Sequence, residues 1–115
     1  MSDPKRGEVW LLNLDPTIGA EIKKTRPAVV VSSNSIGRLP LKVIVPMTEW
    51  NDAFAGSRWH VRIDPGRSNG VSKISAADAF QIRSLSLKRF VKRLGVLDAV
   101  QLEEIVQAVA IVVEL

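Results

Sequence analysis

The residues of this chain best suited to chemistry form a short basic segment in front of a β-branched run. Lys23 and Lys24 precede Arg26, and Arg26-Pro27 opens the run AVVVSS. An arginine held where a loop meets a strand can stabilise charge on a phosphoryl group through paired hydrogen bonds, and a hydroxyl such as that of Thr48 can assist it. The sequence therefore predicts a phosphate site at Arg26, with a structural salt bridge of Arg26 as the alternative.

The composition gives little support for most other catalytic mechanisms. The chain has no cysteine, which excludes thiol nucleophiles, disulfides and zinc fingers. Its single histidine, His60, excludes a two-histidine ribonuclease mechanism and a histidine metal cluster, and gives no support for a Ser-His-Asp arrangement. The acids are mostly spread singly, and no glycine-rich loop stands between a strand and a helix. We therefore expect chemistry that needs neither a metal nor a cofactor.

The net charge and the length of the chain indicate what kind of partner it binds and how many domains it forms. Lys and Arg number 16 against 12 Asp and Glu, a balance that favours polyanionic partners. A second basic group lies between Arg83 and Arg93, where a merely solvated face is an equally good interpretation. The chain of 115 residues predicts a single domain over residues 1–115. Neither a signal-peptide core nor an apolar run of membrane-spanning length is present in the sequence, so we predict a cytoplasmic protein.

Short strands separated by turns are predicted to position these residues. The first strand covers residues 8–14, and the loop 15–25 that follows is long enough to suggest a functional role. Ser86 is predicted to cap one helical turn. Strands of this length with frequent turns are typical of a mainly β, SH3-like small barrel. The further strands are predicted at residues 28–33, 41–47, 59–64, about 78–83, and 91–97.

The C-terminus is predicted to form a helix. Asp98, with Gln101 three residues later, resembles a capping box. We expect most of the helix's apolar stripe to pack on the barrel, with pairing across a dimer as the alternative. The stripe consists of Leu102, Ile105, Val106, Val109, Val112 and Val113.

Taken together, these segments resemble the MazF/PemK toxins. The resemblance covers nearly the whole chain, in the same order and spacing, which makes the combination far more specific than any one motif. It is carried by RGEVWLLNLDP at 6–16, Gly19-Ala20-Glu21, KTRPAVVVS at 24–32, VIVPMT at 43–48, NGVSKISAADAFQIRSL at 69–85, and FVKRLGVL at 90–97 before the capped helix.

The resemblance implies the toxin of a type II toxin–antitoxin system, built as a homodimer of SH3-like barrels and restrained by an antitoxin protein. Such toxins cleave single-stranded RNA without a metal, by attack of the ribose 2′-hydroxyl on the adjacent phosphate. Arg26 and Thr48 match the catalytic positions of the family, with an electrostatic role for Arg26 because an arginine is a poor base at neutral pH. The residues assigned to RNA binding are Glu21, Lys23, Lys24, Gln81 and Arg83.

One departure and two alternatives accompany this resemblance. Phe80 stands just before Gln81, where the family often has an acid, which puts the base preference in doubt. A CcdB-like toxin of the same fold class would poison gyrase and cleave nothing. A relative that has lost activity would bind only RNA or antitoxin. For the nuclease we expect an acidic, partly disordered antitoxin tail to cover the groove near residues 17–26, because a basic RNA channel invites an anionic mimic.

Overall fold

Seven β-strands and one α-helix form the fold in the computed structural model, which describes residues 3–115. The strand order across the sheet is β4-β5-β3-β2-β1-β7, and β6 pairs with the first half of β3. The elements are β1 Glu8–Asn13, β2 Thr25–Val30, β3 Leu41–Glu49, β4 His60–Ile63, β5 Ser75–Asp78, β6 Arg83–Ser86, β7 Phe90–Val96 and α1 Ala99–Val112, with short 3-10 helices at Asp52–Gly56, Ala79–Gln81 and Leu87–Arg89.

The strand register places the predicted catalytic residues side by side. In the antiparallel pair of β2 and β3, Ala28 lies opposite Pro46. Continuing that register by two residues sets Arg26 opposite Thr48, at the ends of two neighbouring strands. On its other edge, Thr48 pairs with Ala76 of β5. The sheet therefore gathers β2, β3 and β5 around one point.

Two apolar clusters hold the sheet in place. One lies under α1 and includes Val9, Val45 and Ile105; the other, with Trp10 and Phe90, lies on the opposite side of the alternating strands. The Trp10 and Phe90 rings meet edge to face, with centroids 5.7 Å apart. Because successive residues of β1 point to opposite faces, a single strand contributes to both clusters.

The terminal helix follows the prediction closely. The Asp98 carboxylate accepts a hydrogen bond from the Gln101 amide at 2.8 Å, as expected of an N-cap. Ile105 is fully buried, while Val113 at the end of the stripe is 59% exposed. Most of the predicted stripe thus packs on the sheet. Within residues 3–115, no helix has the length and apolar character needed to cross a membrane.

The strand predicted at about 78–83 is wrong. Strand β5 ends at Asp78, a 3-10 turn covers Ala79–Gln81, and β6 begins at Arg83. The Asp78 carboxylate accepts a hydrogen bond from the Phe80 amide at 3.1 Å and so starts the turn. Ser86 caps the next turn as predicted, by accepting from the Lys88 amide at 3.2 Å.

The mainly β prediction with a C-terminal helix is confirmed. In the described chain, β4 and β7 end the strand order and do not pair with each other. The barrel predicted from the sequence therefore takes the form of an unclosed sheet.

Two glycines let the chain near residue 70 approach β7 very closely. Gly70 has φ +69°, and a Cβ there would overlap the Leu94 carbonyl. A Cβ on Gly95 would overlap the Ser68 carbonyl, and the Val96 amide donates to that carbonyl at 2.8 Å. This contact fixes the start of the segment that leads from Gly70 to β5.

Candidate functional site

Arg26 and Thr48 line the same open cavity, as the sequence predicted. The cavity has a volume of about 180 Å³ and lies between the ends of β2 and β3 and the segment that precedes β5. Its lining residues are Thr25, Arg26, Pro27, Met47, Thr48, Glu49, Val71, Ser72, Lys73 and Ser75.

The guanidinium of Arg26 is not neutralised by a carboxylate. Its Nε donates to the Lys23 carbonyl at 3.4 Å, and within residues 3–115 it forms no salt bridge. The structural salt bridge considered as an alternative is therefore wrong for the described chain. A half-buried cation of this kind can direct its free N–H groups at a phosphate.

Thr48 presents a hydroxyl that is only weakly engaged. Its Oγ1 donates to the Glu49 carbonyl at 3.5 Å, at the limit of a hydrogen bond. The side chain is half-buried at the end of β3, so its rotation is limited while the oxygen stays within the cavity lining. Such a hydroxyl can donate to one oxygen of a bound phosphate or accept from a neighbouring hydroxyl.

Sequence reasoning missed two charged residues at this cavity. Lys73 lines it together with Arg26, and so does Glu49, which follows Thr48. Glu49 pairs with Ser75 at the start of β5, which brings Lys73 beside the end of β3. Only this strand pairing places Lys73 at the site, and the sequence offers no signal of it beyond the turn at Asn69-Gly70.

A second cavity brings together three of the predicted RNA-binding residues. It measures about 440 Å³ and contains Glu21, Gln81 and Arg83 in its lining. Phe80, the departure from the family pattern, also lines it and is 64% exposed. Glu21 folds back onto its own loop, where its carboxylate accepts from the Ile18 amide at 2.6 Å.

Lys23 and Lys24 occupy the stretch of chain between the two cavities. Both are exposed, and neither belongs to the lining of either cavity. The Lys24 carbonyl accepts from the Leu14 amide at 2.9 Å and closes the base of the loop. Exposed lysines in this position supply positive charge near the site without a fixed geometry.

His60 lies in a polar network that the sequence gave no reason to expect. Its Nδ1 is 2.7 Å from the Ser57 hydroxyl, and its Nε2 is 3.5 Å from the Asp78 carboxylate. The imidazole stacks on Phe54 with centroids 3.9 Å apart, and its side chain is only 11% exposed. A single histidine offers no support for a Ser-His-Asp arrangement at the level of sequence, yet the structure brings Ser57, His60 and Asp78 together.

A clear pKa shift occurs away from both cavities, at Glu8. Burial disfavours its charged form, but hydrogen bonds from the Lys5 amide, the Trp10 indole and the Arg93 guanidinium outweigh that effect and lower its pKa. The Arg93 Nε lies 2.8 Å from the carboxylate. Among residues 3–115 there is no cluster of three or more His, Cys, Asp or Glu placed to hold a metal ion.

Comparison with known proteins decides the family. Residues 5–113 match the family model described as the PemK-like, MazF-like toxin of type II toxin–antitoxin systems. The chain belongs to this family.

Relatives of the PemK/MazF type are found at the level of sequence. The chain is 34% identical to the endoribonuclease PemK of Escherichia coli in an alignment of 90 residues that covers 76% of this chain and 64% of that protein. It is 30% identical to the endoribonuclease MazF9 of Mycobacterium tuberculosis in an alignment of 115 residues that covers 96% of this chain and 97% of that protein. The match thus spans slightly less than two thirds of the E. coli protein but nearly all of the mycobacterial one.

Solved structures agree with the fold. MazF of Deinococcus radiodurans superposes with a TM-score of 0.79 at 27% identity and covers 97% of each chain. An endoribonuclease from a mycobacterial species, solved in complex with its cognate antitoxin, gives a TM-score of 0.77 at 21% identity, covering 98% of this chain and 97% of that one. The predicted toxin fold is confirmed.

Proposed function

We propose that this chain is the toxin of a toxin–antitoxin pair and acts as a metal-independent endoribonuclease on single-stranded RNA. Endoribonuclease is the activity named for its PemK and MazF9 relatives. The observation that carries the proposal is the state of Arg26, a guanidinium without a carboxylate partner that lines an open cavity beside Thr48. A phosphodiester can supply the negative partner that this guanidinium lacks within residues 3–115.

The proposed reaction is an internal displacement within the RNA. The ribose 2′-oxygen forms a bond to the adjacent phosphorus and gives up its proton, while the bond from phosphorus to the 5′-oxygen breaks and that oxygen takes up a proton. The products are a 2′,3′-cyclic phosphate and a free 5′-hydroxyl. No water and no metal enters this step.

Arg26 stabilises the extra negative charge of the pentacoordinate phosphorus. An arginine side chain is a poor base at neutral pH, so the role is electrostatic. Thr48 orients a non-bridging phosphate oxygen or the attacking hydroxyl. Lys73, which lines the same cavity, adds a second cation to it.

The neighbouring cavity and loop would hold the RNA on either side of the cleaved bond. Glu21 and Arg83, which share the second cavity with Gln81, offer hydrogen bonds to the edges of unstacked bases. Lys23 and Lys24 attract phosphates in a salt-dependent way. The proposal retains all five residues predicted to bind RNA.

The same proposal includes the assembly and its regulation. The chain acts as one domain over residues 1–115, forms a homodimer and works in the cytoplasm, where a toxin of this type meets RNA and its antitoxin. An acidic antitoxin segment would cover residues 17–26, because this stretch carries the exposed lysines and leads to Arg26.

The test is digestion of a mixed RNA in the presence of EDTA, followed by sequencing of the cleaved ends. We expect discrete fragments with cyclic phosphate at one end and hydroxyl at the other. Arg26→Ala should abolish cleavage, whereas the matched control Arg38→Ala, in the exposed loop before β3, should cleave normally. Intact RNA together with stalled gyrase would support the CcdB-like alternative, and binding of RNA or antitoxin without cleavage would indicate a relative that has lost activity.

A further inference from the structure

The Gln81 side chain joins two distant parts of the chain. Its Oε1 accepts a hydrogen bond from the Ile22 amide at 2.6 Å, and its Nε2 donates to the Ala20 carbonyl at 3.2 Å. Ile22 and Ala20 belong to the loop of residues 14–24 that connects β1 and β2, here called the β1–β2 loop. One side chain thus satisfies two backbone groups of a segment about 60 residues away in sequence.

The amide of Gln81 cannot turn around in this position. Its Nε2 also lies 3.3 Å from the Asp78 carboxylate, which can only accept hydrogen bonds when ionised. A reversed amide would point its oxygen at that carboxylate and its nitrogen at the Ile22 amide. The Asp78 carboxylate therefore selects the orientation in which Gln81 binds the loop.

Asp78 is held in turn by the network that contains His60. With the imidazole proton on Nε2, Ser57 donates its hydroxyl proton to Nδ1, and the protonated Nε2 lies 3.5 Å from the Asp78 carboxylate. The Trp59 amide donates to the same Ser57 hydroxyl at 3.3 Å. Ser57, His60 and Asp78 therefore act as a support for the Gln81 amide, which is the last group of this network.

The rest of the β1–β2 loop has few other anchors beyond its base. Its base is closed by the bond from the Leu14 amide to the Lys24 carbonyl, and Arg89 donates to the carbonyls of Asn13 and Asp15. Between them, Ile22 packs partly on the Trp10 cluster, while residues 18–21 are exposed. Segments with so few buried contacts open readily, so one bidentate side chain has a large influence on their position.

The loop position matters for the site because Arg26 is oriented by the loop. The Lys23 carbonyl, which accepts from the Arg26 Nε, belongs to the residue directly after Ile22. A loop released from Gln81 would carry this carbonyl away from the guanidinium. Since the Lys23 contact is already long at 3.4 Å, a small movement is enough to break it.

We propose that Gln81 is a positioning residue that latches the β1–β2 loop at Ala20 and Ile22 and thereby sets the direction of the Arg26 guanidinium. The activity part of this inference rests on the proposed nuclease function; the latch itself does not. Gln81 then supports RNA cleavage through the loop, in addition to any contact that it makes with RNA.

The test combines amide hydrogen exchange with cleavage kinetics on the full chain. Gln81→Met removes both hydrogen-bonding groups at similar size, and the matched control is Gln107→Met, at an exposed glutamine of α1 that bonds only to Glu103 within the described chain. For Gln81→Met we expect exchange at the Ile22 amide to rise about tenfold, with protection of the β3 core amides unchanged. We expect kcat to fall about tenfold while KM changes less than about twofold, because the reacting geometry is affected more than RNA binding.

A second variant keeps the inference falsifiable if Gln81→Met does not fold. Asp78→Asn retains a capping side chain but no longer fixes the orientation of the Gln81 amide, and it should change Ile22 exchange and kcat in the same direction by a smaller factor. Unchanged Ile22 exchange in a folded Gln81→Met protein would overturn the latch. A rise in KM alone would overturn it too, since that pattern belongs to a residue that only contacts RNA.

Failure of the latch and failure of the nuclease function give different results. If the wild-type protein cleaves no RNA but Gln81→Met still exposes the Ile22 amide, the latch stands and the proposed function is wrong. If the wild-type protein cleaves RNA and Gln81→Met leaves both Ile22 exchange and kcat unchanged, the latch is wrong and the function stands.

Discussion

Two arginines on neighbouring parts of the sheet have opposite surroundings. Arg93 of β7 pairs with Glu8 of β1 at 2.8 Å, and this carboxylate is also bound by the Trp10 indole and the Lys5 amide. Arg26 of β2 has only a distant carbonyl of its own loop and lines an open cavity. The charge of Arg93 is used within the fold, whereas the charge of Arg26 is available to a ligand. In this small basic protein, whether an arginine is paired with a carboxylate therefore says more about its function than the arginine itself does.

The contrast between Arg26 and Arg93 can be tested by substitution, and the largest effect on cleavage is expected from Arg26→Lys. The variant keeps the positive charge but loses the planar, paired donors, so we expect cleavage to fall by about 100-fold to 1000-fold. The free energy of unfolding should change by less than about 0.5 kcal/mol, because within residues 3–115 the side chain loses only its long hydrogen bond to the Lys23 carbonyl. Cleavage of a fluorescent RNA and thermal unfolding measure the two quantities. Full activity in the lysine variant would show that a point charge is sufficient.

A smaller effect is expected from Thr48→Val, which replaces the hydroxyl by a methyl group of similar size. Loss of one hydrogen bond to the reacting phosphate should lower kcat by about 10-fold to 100-fold. Thr48→Ser, which keeps the hydroxyl, is the control and should retain most of the activity. If the serine variant is as slow as the valine variant, the methyl group rather than the hydroxyl is what the site requires.

The smallest effect is expected from Glu8→Gln, which tests the ion pair that Glu8 forms with Arg93. This change weakens the ion pair with Arg93 and should lower the free energy of unfolding by about 1 kcal/mol at neutral pH, with cleavage unchanged. The folded protein holds the Glu8 pKa below its usual value of 4.5, so the wild type has its full advantage above that pH. As pH falls through the lowered pKa, Glu8 takes up a proton and the advantage disappears.

Urea unfolding of both proteins at neutral and acidic pH measures this difference. We expect the two midpoints to converge at low pH, because the wild type then also carries a neutral side chain at position 8. A gap that stays constant with pH would show that the ion pair contributes nothing and that the amide packs poorly.

Much of the site could be predicted because its main residues lie on regular strands. Arg26 opens a β-branched strand and Thr48 ends another, and simple antiparallel pairing brings such ends together. Their roles, however, came from the resemblance to known toxins, because an arginine before a strand is by itself just as well explained by a salt bridge.

The remaining features depend on contacts that the local sequence does not encode. Lys73 reaches the cavity only through the pairing of β3 with β5, and Gln81 meets Ile22 across 59 residues. Periodicity suggested a continuous strand around residues 78–83, but the Asp78 side chain captures the Phe80 amide and ends it. Competition between a side chain and the backbone ladder is decided by tertiary surroundings, which a pattern of apolar residues does not reveal.

The missing Cβ atoms at Gly70 and Gly95 have a consequence for the site itself. They seat the turn at residues 68–70 directly on the backbone of β7, and the chain from this turn runs on to Lys73, which lines the same cavity as Arg26. One side of the cavity is therefore tied to a strand at the end of the strand order. A shift of β7 would move the turn directly, because backbone meets backbone there with no side chain between them.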